Sequence, residues 1–209
     1  MKQKLPNIFK PDGLFKLTRL GNKFDGGYLI GESTVLESKC LISLGTGLEI
    51  SFEKDYSLIN KNKIFLVDNK KVSTYFKNEF LISLNYLRNF NFKPLFQSIK
   101  KFFLSNKFHN DHVFLRRHIT YNSLNEILSL VDQKNQILIK IDIEGSEYRI
   151  LDSLLENNEK FIGMIIEFHD VDLHIEKISK FISEIPLVLT HIHSNNIGQV
   201  DQNNNPTML

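Results

Sequence analysis

The chain has 209 residues, enough for one domain with a sizeable core. Hydrophobic residues make up 42% and charged residues 24%, as in an ordinary globular protein, and 26 Lys+Arg against 24 Asp+Glu leave a net charge of only +2. That balance gives no general argument for nucleic-acid or membrane binding.

No stretch approaches the roughly 20 apolar residues that a membrane span needs. Met1 to Pro6 is not followed by an apolar core region, so no signal peptide is expected. The single cysteine, Cys40, cannot form an internal disulfide, which fits a reducing cytosol and a cytoplasmic protein.

Residues 1–38 read as a lead-in, with Asp25-Gly26-Gly27 a turn signal before a short strand at Tyr28-Leu29-Ile30. From residue 39 onward, strands and helices alternate. Leu41 to Leu44 is a short apolar run broken at Gly45, the pattern of a buried strand, and Phe52 to Ile59 is a helix. Ile64 to Val67 is a second buried strand, ending at Asp68. Residues 80–117 form an aromatic and basic stretch, with Tyr86, Phe90, Phe92, Phe96, Phe102, Phe103 and Phe108 interleaved with Lys93, Lys100, Lys101 and Lys107. It reads as a helical insertion that Pro94 interrupts. The reading favoured by such stripes is an amphipathic helix packing its Phe face on the core. A membrane-surface role for the basic face is the alternative.

Leu124 to Val131 has helical spacing, with Ser123 the expected N-cap. Ile137 to Ile143 is the third core strand, Glu147 to Leu155 a helix, Ile162 to Phe168 the fourth strand, Ile175 to Ile182 a helix and Leu187 to His193 the fifth strand. The alternation predicts an α/β protein with a doubly wound, mostly parallel, Rossmann-like sheet.

In such a sheet ligands bind at the carboxyl ends of the strands. After the first core strand comes Gly45-Thr46-Gly47, where glycines let the backbone turn sharply and approach a ligand. Ile50 stands where the dinucleotide fingerprint has its third glycine, which counts against NAD. Asp68, 21 residues beyond Gly47, is placed to accept ribose hydroxyls.

In the third strand Leu138, Lys140 and Asp142 share one face, and polar groups there are costly unless paired or functional. Glu144 marks the edge of an active site, and Glu147 is expected to cap the next helix. His169 and His193, after the fourth strand and at the end of the fifth, are candidates for a general base. Asp142, Glu144, His169 and His193 could alternatively ligate a metal, although no local ligand spacing supports this.

These segments resemble the FkbM-type methyltransferases, a branch of the class I S-adenosylmethionine-dependent enzymes. The residues that carry the likeness are Ile42-Ser43-Leu44-Gly45-Thr46-Gly47, Phe65-Leu66-Val67-Asp68, Lys140-Ile141-Asp142-Ile143-Glu144-Gly145-Ser146-Glu147, Ile166 to Asp170 and His191 to Asn196. The Lys-x-Asp-x-Glu-Gly-x-Glu run is the most specific of them. Arg19-Leu20-Gly21 and Asp25 to Tyr28 also look like the lead-in of one bacterial branch.

The resemblance implies a seven-stranded sheet with one antiparallel strand, residues 39–209 as the methyltransferase domain, and transfer of the cofactor's methyl group to a hydroxyl of a sugar, glycan or small metabolite. It places Gly45, Thr46 and Gly47 against the cofactor's amino-acid portion, Asp68 at its ribose, and Asp142 and Glu144 beside the reacting groups. The chain departs from the family at Ser43, where class I enzymes commonly have an acidic residue. It also departs at Asn205 to Leu209, where a last strand would continue, so the final hairpin is expected to be short or truncated. Two rival readings are another nucleotide-cofactor enzyme and a non-catalytic Rossmann-like binding module.

Overall fold

The computed structural model describes residues 6–11, 13–23, 26–87, 90–131, 136–195, 200 and 207–209. Asp25 of the expected turn, Asn196 and the Asn-rich tract at 201–206 lie outside the described residues.

Three of the apolar runs become the centre of one parallel sheet. Its strands are β3 (Cys40–Leu44), β4 (Lys63–Asp68), β5 (Val113–Arg116), β6 (Ile137–Ile141) and β7 (Phe161–Ile166), in the spatial order β5-β4-β3-β6-β7. All four pairings are parallel. Ahead of them, β1 (Leu17–Leu20) and β2 (Tyr28–Gly31) form an antiparallel hairpin.

The central strands are apolar almost throughout because both faces are covered, as parallel sheets require. On one face Ile42, Leu44, Val67, Ile139 and Ile141 pack with α5 (Tyr121–Ser129), α6 (Leu151–Glu156) and α7 (Val171–Glu184) through Leu124, Leu128, Ile150, Leu154, Ile178 and Phe181. On the other, Leu41, Leu66, Leu138 and Ile165 meet the β1–β2 hairpin, α1 (Glu32–Glu37) and α2 (Ser51–Ile59) through Tyr28, Ile30, Val35, Phe52 and Tyr56. The chain runs outward from β3 through β4 to β5, then returns to β6 on the other side of β3. The reversal between β3 and β6 is where an open α/β sheet leaves a crevice at its carboxyl edge.

Several expectations are corrected. The stretch at 80–117 is a hairpin of two helices, α3 (Val72–Leu87) and α4 (Lys93–Asp111), and its end, Val113–Arg116, is the sheet's edge strand β5. Pro94 starts α4 instead of breaking a helix, because the first turn needs no N–H from it. Only Phe108 of the Phe-rich face reaches the sheet core, while Phe76, Phe80 and Phe102 pack among themselves. Thr120, not Ser123, caps α5; Ser123 is the other half of a capping box.

The expected strand at Leu187–His193 does not form: these residues carry no ladder pairing. Alternation fixes which way side chains point but supplies no partner strand, and these side chains instead line a cavity of about 630 Å³ beside β7. The sheet has five strands among the described residues, where the resemblance implied seven with one antiparallel. No helix described is long and apolar enough to cross a membrane.

Candidate functional site

At the end of β3 the chain turns through Gly45 (φ +82°) and Gly47 (φ +51°). A side chain on Gly45 would collide with the carbonyl oxygen of Asp142, so only glycine lets β3 and β6 close this tightly. At Gly47 a Cβ would meet nothing within 4 Å: that side of the turn faces open space.

Thr46 between them is buried. Its hydroxyl lies 3.2 Å from Nε2 of His109 on α4, whose Nδ1 donates to the Ser105 carbonyl (2.8 Å). Burial holds His109 below the usual imidazole range, so its Nε2 accepts from Thr46. The helical hairpin is thereby tied to the glycine turn.

Asp68 ends β4 but is buried. Its Oδ2 accepts from Gly47 N (3.0 Å) and its Oδ1 from Lys70 N (2.9 Å) and the Tyr75 hydroxyl (2.8 Å). A carboxylate offers about four acceptor positions, so three are already used by the protein.

The other side of the crevice is built from β6 and β7. Lys140 is buried under the Tyr28 ring and lies 3.4 Å from Glu53 Oε1 of α2, which also accepts from Ser43 Oγ (2.5 Å). One oxygen of the α2 carboxylate thus serves both Ser43 and Lys140. Burial works against the Lys140 charge, yet the nearby carboxylates, Glu53 foremost, hold its pKa above the usual range. The Tyr28 hydroxyl donates to Glu167 Oε2 (2.6 Å) and lies 3.1 Å from Asp142 Oδ2; Glu167 Oε1 accepts from Asn195 Nδ2 (2.8 Å). Burial, reinforced by Glu167 and opposed by Lys140, pushes Asp142 up to about 6.

Glu147 is the hidden centre of this side. It does not cap a helix. Its fully buried carboxylate turns back, and Oε1 accepts from Ile143 N (3.1 Å), Gly145 N (3.2 Å) and His169 Nδ1 (3.0 Å). The fold-back needs a tight loop, which Gly145 (φ +88°) and the left-handed Glu144 (φ +54°) provide.

His169 is thereby aimed so that Nε2 stands 3.5 Å from Glu144 Oε2 and 4.0 Å from Asp142 Oδ1. Burial would lower its pKa, but the hydrogen bond and charge of Glu147, with Asp142 and Glu144, raise it to about 9. At neutral pH it is an imidazolium and has no free lone pair with which to take a proton. Asp142, Glu144 and His169 each present one donor atom within 4.8 Å of the others, a set that could hold a divalent cation if the imidazole gave up its proton.

A cavity of about 460 Å³ joins the two sides. Gly45, Thr46 and Gly47 line one end and Asp142, Glu144, Glu167 and His169 the other, with Tyr75 and Lys101 of the hairpin along its wall. Of the residues singled out from the sequence, the structure brings the glycine turn, Asp142, Glu144 and His169 into this one space. Asp68 supports the turn without lining it. His193 is elsewhere: it lines the larger cavity beside β7, its ring 5.2 Å from that of His191.

Sequence reasoning missed Tyr28, Glu147 and Glu167 as site residues. All three fall in the segments that carry the family likeness, Glu147 at the end of its most specific run, but the likeness gave them no role there, and Tyr28 lies 114 residues from Asp142. No family model, no curated protein and no solved structure matches the chain.

Proposed function

We propose that the chain is an S-adenosylmethionine-dependent methyltransferase of the FkbM type, acting on a hydroxyl. The observation that carries this reading is the cavity itself: a glycine turn with one open side at the head of the crevice, and an acidic, histidine-bearing wall at the other end. About 460 Å³ is within the range of small-molecule sites. The turn has no pyrophosphate cradle, which favours a ligand without phosphates. Asp142, Glu144 and Glu167 make a wall suited to a cationic ligand.

S-adenosylmethionine, when bound, supplies a methyl group already activated on a sulfonium, so the protein's part is alignment, exclusion of water and removal of one proton. Gly47 and the Thr46 backbone would hold the amino-acid end, and Tyr75, held by Asp68, would border the ribose. The proton that the acceptor hydroxyl gives up would be accepted by a carboxylate oxygen of Asp142. Its pKa of about 6 leaves it ionised at neutral pH yet basic enough to accept. His169, cationic and fixed by Glu147, orients Asp142 and Glu144. The base thus moves from the histidines, where the sequence suggested it, to Asp142.

Thermal melting with S-adenosylmethionine, its demethylated product and NAD tests the class. A rise in melting temperature with the first two and none with NAD is expected. A rise with NAD alone would replace this reading with that of a nucleotide-cofactor oxidoreductase.

A further inference from the structure

The α3–α4 hairpin carries an apolar surface that the sheet does not use. Phe90 at its turn is 86% exposed, and Phe96 and Phe103 on α4 are 68% and 65% exposed. Phe92, Leu104 and, on α3, Leu81, Ile82 and Tyr86 are exposed with them.

These side chains are ordered by the helix. Phe92, Phe96 and Phe103 follow the i, i+4, i+11 spacing of one stripe, and Lys93, Lys100 and Lys107, spaced by seven, form a parallel stripe one residue on. The sequence of this segment is basic as well. Residues 72–111 hold six basic residues (Lys77, Arg88, Lys93, Lys100, Lys101, Lys107) and two acidic ones (Glu79, Asp111), a balance of +4 against +2 for the whole chain. An exposed aromatic stripe bordered by lysines is the pattern of a helix that lies in a bilayer interface, rings among the headgroups and ammonium groups on the anionic lipids.

We propose that the α3–α4 hairpin seats this protein on an anionic membrane surface. The inner side of the same hairpin supplies Tyr75, Asn78, Glu79 and Lys101 to the wall of the site cavity, so docking would set that cavity just behind the seated hairpin. The proposal stands on the exposed stripe and its charge, independently of the cofactor.

The experiment is co-sedimentation of the full chain with vesicles of phosphatidylcholine, alone or mixed with phosphatidylglycerol, at low and high salt. Two variants are compared, Phe96→Ser with Phe103→Ser, and Lys93→Glu with Lys100→Glu and Lys107→Glu. All five side chains are exposed, so the melting temperature of each variant should match the parent's. The expected result is binding to the phosphatidylglycerol vesicles that weakens at least about tenfold with neutral vesicles, high salt or either variant.

A folded parent chain that stays in solution with both vesicle types overturns the proposal, as does binding indifferent to lipid charge. So does a chain that self-associates without lipid and is dispersed by the same substitutions, since the stripe would then be the contact between two copies.

Discussion

Asp68 and Asp142 are both aspartates at the carboxyl edge of the sheet, on opposite sides of β3, and the protein treats them differently. Asp68 accepts three protein hydrogen bonds and is sealed beneath the glycine turn. Asp142 has one phenolic partner, faces the cavity, and is pushed up to about 6 by burial in a neighbourhood of carboxylates. The β3–β4 side is a support whose polar groups satisfy one another. The β6–β7 side keeps a carboxylate and an imidazole whose protons are displaced from their ordinary pH ranges, as the proposed chemistry requires. Acidic residues at equivalent strand ends are therefore not equivalent in function, and the number of donors already committed to each one tells them apart.

The largest expected break in this contrast is at Asp142. Asp142→Asn should lower methyl transfer by roughly 10² to 10⁴ while leaving the fold nearly intact, since a general base contributes on that scale. A variant within a few-fold of the parent in a radiolabelled methyl-transfer assay would take the base role from it.

Next in size is the buried pair beneath. Lys140→Met leaves Glu53 buried and uncompensated, and urea denaturation should show a loss of about 3 to 5 kcal/mol. A smaller loss would mean that water reaches Glu53.

Glu147→Gln should act through His169. Without that charge the imidazole pKa, followed by proton NMR, should fall from about 9 toward its ordinary value. The sign for stability follows from the raised value. What this proton contributes is complete below about pH 6.5, the ordinary histidine pKa, and is lost as pH rises through about 9. The parent's activity should accordingly climb through about pH 6 as Asp142 ionises and decline toward about 9 as His169 loses its proton; in Glu147→Gln the alkaline limb should move to lower pH.

The smallest effect is expected at the histidine that lies in the other cavity. His193→Ala should leave the rate within about twofold, because it lines the cavity beside β7 and not the one proposed for the reaction.

The parallel core was legible in the sequence because strands buried on both faces are apolar almost throughout, as Leu41 to Leu44, Ile64 to Val67 and Ile137 to Ile141 are but for Ser43 and Lys140. The glycine turn was legible for a related reason: Gly45 stands where only a missing Cβ lets Asp142 pass. Leu187 to His193 misled because alternation records the direction of side chains and not the presence of a neighbouring strand. Glu147 misled because an acidic residue ahead of an apolar helical run is also what a helix start looks like. Its fold-back depends on the left-handed Glu144 and on His169, 22 residues on, which local pattern cannot reveal. The helical hairpin was visible as composition, but its attachment through His109 to Thr46 needed the tertiary structure.

The most direct test of the central claim is titration calorimetry of the parent chain and Gly47→Asn with demethylated S-adenosylmethionine. Asn tolerates the positive φ of this position and a Cβ there meets nothing within 4 Å, so the variant should melt with the parent while its side chain projects into the space the ligand needs. Micromolar binding by the parent, lost in Gly47→Asn, is expected. A folded parent that binds neither this ligand nor S-adenosylmethionine, or a variant that binds as well as the parent, would contradict it.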